Sequence, residues 1–432
     1  MNVLISPKAT DSLETWLSYL EKSHFKPIDM GLERIRKVAE ELDLLKPAPY
    51  VITVAGTNGK GSTCKLLEMA LLKAGLKVGV YSSPHLIHYN ERVRIQGQAV
   101  GNADLITTFD YIEQHKSASL TYFEFGTLAA LDLFRKAKID VAILEVGLGG
   151  RLDATNIVDP DFAVITSIDI DHVEFLGDNR EAIGREKAGI FRPNIPVVIG
   201  EPDCPQSILD YAKELQCHVF RRDIDWTFSA ESDRLQWQSK TKSLTVPLPK
   251  IPQPNCATAL AVLTQLPFGL SDEILAQAVE EAKMTGRFQL LGEQDFAKCS
   301  QNRPLAQVFI DVGHNPHAAR YLADRLAEWI QPNRKIYAVF SALVDKDLSG
   351  IVEPLEDLID EWYCAGLQGY RGQRGTEVKS KLLTALPNAK AVAYENVIEA
   401  SQVLFETANE QDIILVFGSF HTVADFVVWI EQ

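Results

Sequence analysis

Cysteine is scarce in this chain and forms no motif. Six occur in 432 residues (Cys64, Cys204, Cys217, Cys256, Cys299 and Cys364), with no Cys-x-x-Cys pair, so they read as reduced residues and not as a disulfide frame or zinc site. Long apolar runs are missing too. None would span a bilayer, and the opening Met1-Asn2-Val3-Leu4-Ile5-Ser6-Pro7 lacks the charged-then-apolar layout of a signal peptide. A cytoplasmic protein without membrane contact is the expectation. Basic residues are in deficit, 43 Lys and Arg against 58 Asp and Glu, and a net charge of −15 argues against a nucleic-acid surface. An anionic substrate must then be held by locally placed cations and helix N-termini. Low-complexity tracts and solenoid repeats are also lacking. What is present is ordinary for a globular protein, 46% hydrophobic and 23% charged residues, in a chain long enough for two domains.

The chain is organised around Tyr50-Val51-Ile52-Thr53-Val54-Ala55-Gly56-Thr57-Asn58-Gly59-Lys60-Gly61-Ser62-Thr63. The β-branched opening predicts a buried parallel strand, and Leu67, Ala70, Leu71 and Ala74 recur beyond it at helical spacing. A glycine-rich loop entering a helix N-terminus is an anion site, because free amides and the helix dipole both favour negative charge. Lys60 adds a charge for the β- and γ-phosphates, and Ser62 a hydroxyl for Mg²⁺. The spacing departs from the usual P-loop: Val54 stands where the first glycine would, and Gly61 separates Lys60 from Ser62. A glycine-rich turn that binds nothing is the bland alternative; Gly-Lys-Gly-Ser-Thr between strand and helix favours a nucleoside triphosphate.

Around this loop, apolar spacing predicts helices near residues 13–20 and 32–44, joined by a loop containing Ile28-Asp29-Met30. Residues 76–81 predict a strand running into Ser82-Ser83-Pro84-His85, and strand ends in a doubly wound sheet face the binding crevice. A proline turn with a serine cap explains Ser83 as well. Arg92-Val93-Arg94-Ile95 alternates like an edge strand, and Thr121-Tyr122-Phe123-Glu124 has capping-box spacing ahead of a helix through Leu133. Residues 141–146 form an apolar strand closed by Glu145, a carboxylate that is costly to bury unless it meets a cation or metal. A strand over 162–168 carries His172 at its end, while Lys187, on a helix at 185–190, reads as a surface lysine. Signals weaken over 203–250, where a helix near 206–216 and short antiparallel strands are expected. Helices over 252–266 and 272–282 lead to Thr285-Gly286-Arg287-Phe288-Gln289, a candidate hinge. Strands at 308–311, 335–340 and 413–417 alternate with helices beyond it. The expected fold class is α/β: a P-loop ATPase domain with a mostly parallel sheet (1–288) and a smaller α/β domain (289–432). Residue physics leaves the phosphoryl acceptor open, since a kinase, a ligase or a nucleotide-driven switch would all suit the loop.

Four motifs together carry a resemblance: Ala55-Gly56-Thr57-Asn58-Gly59-Lys60-Gly61-Ser62, Tyr81-Ser82-Ser83-Pro84-His85, the run from Leu144 to Asn156, and Asp311-Val312-Gly313-His314-Asn315-Pro316. The chain resembles the folylpolyglutamate synthases of the Mur ligase superfamily, more narrowly the bacterial bifunctional dihydrofolate synthase/folylpolyglutamate synthases, most weakly over 201–250. The resemblance implies a C-terminal domain of Rossmann-like type and catalysis in a cleft. It implies ATP contacts from Gly56, Thr57, Asn58, Gly59, Lys60, Gly61, Ser62, Asn255, Arg287 and Asp311. One Mg²⁺ would lie near Ser62, Ser83 and Glu145, and a second at His172. Lys187 matches a carbamylated lysine, in which CO₂ turns a repelling ammonium into an anion that helps order Mg²⁺ and the γ-phosphate. A monovalent cation is a further cofactor candidate. His314 and Ser419 match the glutamate side; Ile28-Asp29-Met30, Thr121-Tyr122-Phe123-Glu124 and Leu152-Asp153-Ala154 match the pterin pocket. Lys60, His172, Lys187 and His314 are the catalytic candidates. Gly313, where close relatives carry alanine, is a small departure.

The implied chemistry activates a carboxylate as an acyl phosphate, which the amine of L-glutamate then attacks. Dihydropteroate would give dihydrofolate, and reduced folates would be extended, each at the expense of ATP; a monomer is expected. Three alternatives stay open. One is a monofunctional folylpolyglutamate synthase. Another is a peptidoglycan-precursor Mur ligase, although only about fifty residues precede the phosphate loop, too few for a nucleotide-sugar domain. The third is a nucleotide-driven binding module that hydrolyses ATP without making an amide.

Overall fold

The computed structural model describes residues 5–231, 233–298 and 304–432. The chain divides into two compact units, Met1–Lys283 and Met284–Gln432. Among the described residues of the first, eight strands share one sheet: β1 (Tyr50–Ala55), β2 (Val78–Tyr81), β3 (Val93–Ile95), β4 (Gln98–Ala99), β5 (Val141–Glu145), β6 (Phe162–Ile165), β7 (Pro196–Ile199) and β8 (His218–Arg221). Their order is β4-β3-β2-β5-β1-β6-β7-β8, with the β2–β3 and β3–β4 pairings antiparallel and the rest parallel. β1 is buried from Val51 onward, as a continuous apolar run in a parallel sheet must be. Because β2, β5, β1 and β6 are parallel neighbours, their carboxyl ends lie side by side, and every phosphate or metal candidate of this sheet leaves from that edge.

The Leu13–Leu20 and Glu33–Glu41 helices pack with Asn102–His115 and Tyr122–Ala137 through Trp16, Ile35, Val38, Phe109, Phe125 and Leu128. The second is shorter than the 32–44 pattern because Asp43 takes a left-handed backbone conformation at φ 57°. The capping box forms as spaced: Thr121 Oγ1 accepts from Glu124 N at 3.2 Å and Glu124 Oε2 accepts from Thr121 N at 2.8 Å. The helix near Lys187 begins earlier than expected, at Arg180, since the Asn179 side chain caps it by accepting from Ala182 N at 2.9 Å. β6 stops at Ile165 and not at 168, because Thr166 and Ser167 turn their polar groups to the phosphate loop.

Residues 226–247 form an antiparallel meander of β9 (Trp226–Glu231), β10 (Arg234–Ser239) and β11 (Ser243–Pro247). Only alternate residues of β10, Leu235 and Trp237, are buried, which explains the weak sequence signal. The second unit holds, among its described residues, a six-stranded sheet of β12 (Gln289–Leu290), β13 (Gln307–Asp311), β14 (Ile336–Phe340), β15 (Glu361–Ala365), β16 (Ala391–Tyr394) and β17 (Ile413–Phe417). The order is β12-β13-β17-β14-β15-β16, parallel except for β12. Its core includes Phe309, Leu322, Phe340, Trp362, Leu382, Leu415 and Phe417. Cys64, Cys204, Cys217, Cys256 and Cys364 are free thiols, and Cys299 lies outside the described residues. No described helix is long and apolar enough to cross a membrane.

Candidate active site

β1 ends directly in the glycine loop, and the Lys60–Lys73 helix starts from it. Gly59 sits at φ 87°, and a Cβ there would collide with the side-chain amide of Asn255. The position therefore demands glycine twice, for its backbone and for the close approach of the Gln253–Leu263 helix. The loop is tied down by the segment after β6. Thr57 Oγ1 donates to Asp169 O and accepts from Asp169 N, both at 3.0 Å, and Ser167 Oγ accepts from Asn58 N at 3.0 Å. Thr166 Oγ1 donates to Asn58 O at 2.6 Å. Lys60 Nζ bends back to donate to Gly56 O at 2.9 Å and Thr57 O at 3.2 Å. Neutral carbonyls bind an ammonium less strongly than phosphate oxygens do, so Lys60 is stored beside the place where an anion would take it.

Ser62 is buried in the first turn of the same helix, Glu145 closes β5 at 4% exposure, and Ser83 follows β2. These hydroxyls and one carboxylate come from adjacent strand ends. They are hard oxygen donors that fit Mg²⁺ whose remaining positions go to phosphate and water. Among the described residues no three His, Cys, Asp or Glu side chains gather into a metal cage. His172 departs from its expected place. It sits on an exposed loop well past the end of β6, at the N-cap of the short Val173–Leu176 helix, with φ 53°.

Lys187 is not the surface residue its helix suggested. It is 4% exposed, and its Nζ donates to Gly56 O at 3.0 Å. Burial, reinforced by the Lys60 charge, pushes its pKa down to about 7.

The three stretches matched to a pterin pocket converge. The Phe123 ring lies where a Cβ on Gly147 would be, and Met30 Cε and Leu176 lie over Gly149. Asp29 is already engaged: it accepts from Lys26 at 3.2 Å, His24 at 3.3 Å and Arg34 at 2.8 Å. The Lys26 hydrogen bond leads in holding its carboxyl below the usual range. Arg34, which sequence reading passed over, also reaches Glu124 Oε1 at 3.0 Å and so joins two of the predicted segments. Ile28 is about half exposed, while Ala154 is buried beside Asp153. Asp153 Oδ2 accepts from Gly147 N (3.0 Å) and Leu148 N (2.9 Å), and Oδ1 from Thr155 N (3.0 Å) and Thr155 Oγ1 (2.7 Å). Burial nevertheless raises its pKa.

In the second unit Asp311 closes β13 and holds the turn after it, accepting from Gly313 N at 2.6 Å and Phe288 N at 2.7 Å. Burial raises its pKa against the opposing charge of Arg287, whose guanidinium lies 5.2 Å from the Phe420 ring centre. His314 Nδ1 donates to Val312 O at 3.0 Å. Ser419 is buried at the N-cap of the Phe420–Ile430 helix, accepting from Thr422 N at 3.0 Å. Since Thr422 Oγ1 gives its proton to Ser341 O, the 2.7 Å contact between the two hydroxyls carries the Ser419 proton.

Asp153→Ala removes an acceptor from four donors in a buried turn, so it is expected to lower the melting temperature by the equivalent of several kcal/mol. Asp153→Asn should do much of the same, because its NH₂ meets the N–H groups of Gly147 and Leu148 wherever the other end stays on Thr155. Thermal melts of both variants check this; unchanged melting would mean the carboxylate does not hold the turn.

Comparison with known proteins identifies the family of this chain. Residues 54–261 match the Mur ligase middle domain, and residues 286–420 match the glutamate ligase domain of Mur ligases. The dihydrofolate synthase/folylpolyglutamate synthase of Haemophilus influenzae is 54% identical over 98% of this chain and 99% of its own. The fold superposes on Escherichia coli FolC in complex with DHPP and ADP with a TM-score of 0.92 at 47% identity, covering 99% of both chains. It also matches a bifunctional folylpolyglutamate synthase/dihydrofolate synthase with Mn, AMPPNP and L-glutamate bound, TM-score 0.89 at 51% identity, over 99% of this chain and 100% of that one. The chain belongs to the dihydrofolate synthase/folylpolyglutamate synthase family of Mur ligases.

Proposed function

We propose that this protein joins L-glutamate to dihydropteroate and to reduced folates, using ATP to activate the acceptor carboxylate. The observation that carries the reading is the phosphate loop after β1, with Lys60 and Ser62 opening a helix beside the neighbouring ends of β5, closed by Glu145, and β2, followed by Ser83. A bare carboxylate is a poor electrophile. One of its oxygens attacks the γ-phosphorus, the bond to the β-bridging oxygen breaks, and ADP leaves behind an acyl phosphate. The glutamate nitrogen then adds to the acyl carbon, phosphate departs, and the amide remains after loss of one proton.

Gly56 through Ser62 cradle the phosphates, and Lys60 neutralises charge that builds on the transferring oxygens. Asn255 holds the nucleotide from beside Gly59, and Arg287 and Asp311 are further candidate nucleotide contacts by resemblance. Mg²⁺, held by Ser62, Ser83 and Glu145, supplies further charge neutralisation when bound, with His172 the candidate ligand of a second ion. His314 and Ser419 receive glutamate. Phe123 and Met30 contribute apolar surface to the pterin side, and Asp29, Glu124 and Asp153 its hydrogen-bonding groups. Lys187 is carbamylated: the neutral Nζ lone pair adds to CO₂, one N–H proton goes to solvent, and an anion replaces a repelling ammonium beside Lys60.

Three outcomes check this reading. Purified protein given ATP, L-glutamate and one acid at a time should turn dihydropteroate into dihydrofolate and lengthen tetrahydrofolate by glutamate, identified by mass. Extension without any dihydrofolate would leave a monofunctional folylpolyglutamate synthase, and ATP hydrolysis without amide would leave a binding module. Lys60→Ala should lower kcat on the order of 10²-fold while the protein stays folded; near-normal turnover at saturating ATP would mean the loop is misread. For Lys187, ¹³C-bicarbonate should give a carbamate carbonyl resonance that is absent from Lys187→Ala. Protonation of the amine below about pH 7 blocks its attack on CO₂, so the signal should fall as pH drops through that value and hold above it. Acetate or formate should partly restore activity to Lys187→Ala. Full wild-type activity with a bare amine in CO₂-free buffer would remove the modification.

A further inference from the structure

The Lys60–Lys73 helix carries a buried carboxylate that the phosphate chemistry leaves unused. Glu68 is wholly buried, and both of its oxygens accept from Arg94 Nε at 3.1 Å, with Lys65 Nζ at 3.2 Å. Arg94 stands on β3, and its NH1 donates onward to Ser82 Oγ at 3.0 Å and Glu91 O at 3.2 Å. Ser82 is the residue before Ser83. Glu91 in turn accepts from the backbone N–H of Leu86 (2.7 Å), Ile87 (2.9 Å) and His88 (2.6 Å), so the whole turn after β2 hangs on this guanidinium. An ion pair this deep is a poor way to gain stability, because desolvating both charges offsets their attraction. What the planar fork of Arg94 does supply is fixed geometry between three elements.

We propose that Glu68, Arg94 and Ser82 form a positioning relay that fixes Ser83 relative to Ser62 and thereby sets the divalent-cation affinity of the nucleotide site. Ser62 and Glu68 ride on one rigid helix, and Ser82 and Ser83 leave one strand end; Arg94 is the bolt between them. The inference rests on the reading of Ser62, Ser83 and Glu145 as the metal side. Groups that orient metal ligands without touching the ion typically cost 10- to 100-fold in metal affinity when lost.

The test is Mn²⁺ binding in the presence of a non-hydrolysable ATP analogue, read by electron paramagnetic resonance on the full chain. Ser82→Ala removes only the last link and strands no charge. It should weaken Mn²⁺ roughly tenfold, with melting temperature and metal-free nucleotide affinity at wild-type values. Arg94→Lys, which keeps the charge but loses the fork, should do the same. The paired change Glu68→Gln with Arg94→Met keeps the interior neutral, and should fold yet share the metal defect. Wild-type Mn²⁺ affinity in both Ser82→Ala and Arg94→Lys would overturn the relay, as would a metal defect that appears only in proportion to lost melting temperature. If the wild-type protein itself binds no Mn²⁺–nucleotide, the metal assignment fails instead, and the two failures are told apart.

Discussion

Two lysines converge on one backbone carbonyl. Lys60 and Lys187 both donate to Gly56 O, at 2.9 and 3.0 Å. Burial first, and then the Lys60 charge beside it, push the Lys187 pKa down to about 7. Gly56, which supplies that carbonyl, holds φ 154°, and a Cβ there would collide with Thr166 Oγ1. The Thr166–Asp169 segment must leave the sheet to hold the loop from the other side. A neutral amine next to a permanent cation is also the form of lysine that reacts with CO₂, so electrostatic relief and chemical modification point the same way.

The parts legible in the sequence were those whose chemistry is local. The phosphate loop declares itself because a tight turn, an amide-lined hollow and a helix start all lie within about ten residues. The capping box at Thr121 and Glu124 spans one turn, and the structure forms it as spaced. Lys187 was illegible because Arg185 and Glu186 beside it make the helix look solvated, while its burial depends on Gly56, far away in the chain. His172 was misplaced at a strand end because a β-branched run alone cannot tell that Thr166 and Ser167 bond the loop and not the next strand. Arg34 and the Glu68–Arg94 pair had no signal at all, since each is defined by a partner on another element.

In the second unit the same sequence features serve both fold and site. Asp311 ends β13 opposite Phe417, the last residue of the neighbouring β17, and Ser419 follows β17 two residues on. Each is used structurally, Asp311 to hold the turn through Gly313 and Ser419 to cap the final helix. A residue at a parallel strand's carboxyl end must satisfy the turn that follows it, so the edge where ligands bind is also where polar side chains are already committed.

That double use bears on how a ligand can be recognised here. Asp153 has four donors on its two oxygens, and Asp29 has three partners, Lys26, His24 and Arg34. Neither carboxylate waits unpaired for a substrate, and an unpaired one would be expensive to keep buried. A pterin N–H would therefore share or exchange an existing bond, and its net gain would be the difference between two hydrogen bonds, not the whole of one. On the proposed reading of a pterin side, much of the affinity would come from apolar contact with groups such as Phe123 and Met30. The polar groups would instead discriminate, by penalising any ligand that displaces their partners without replacing the bonds.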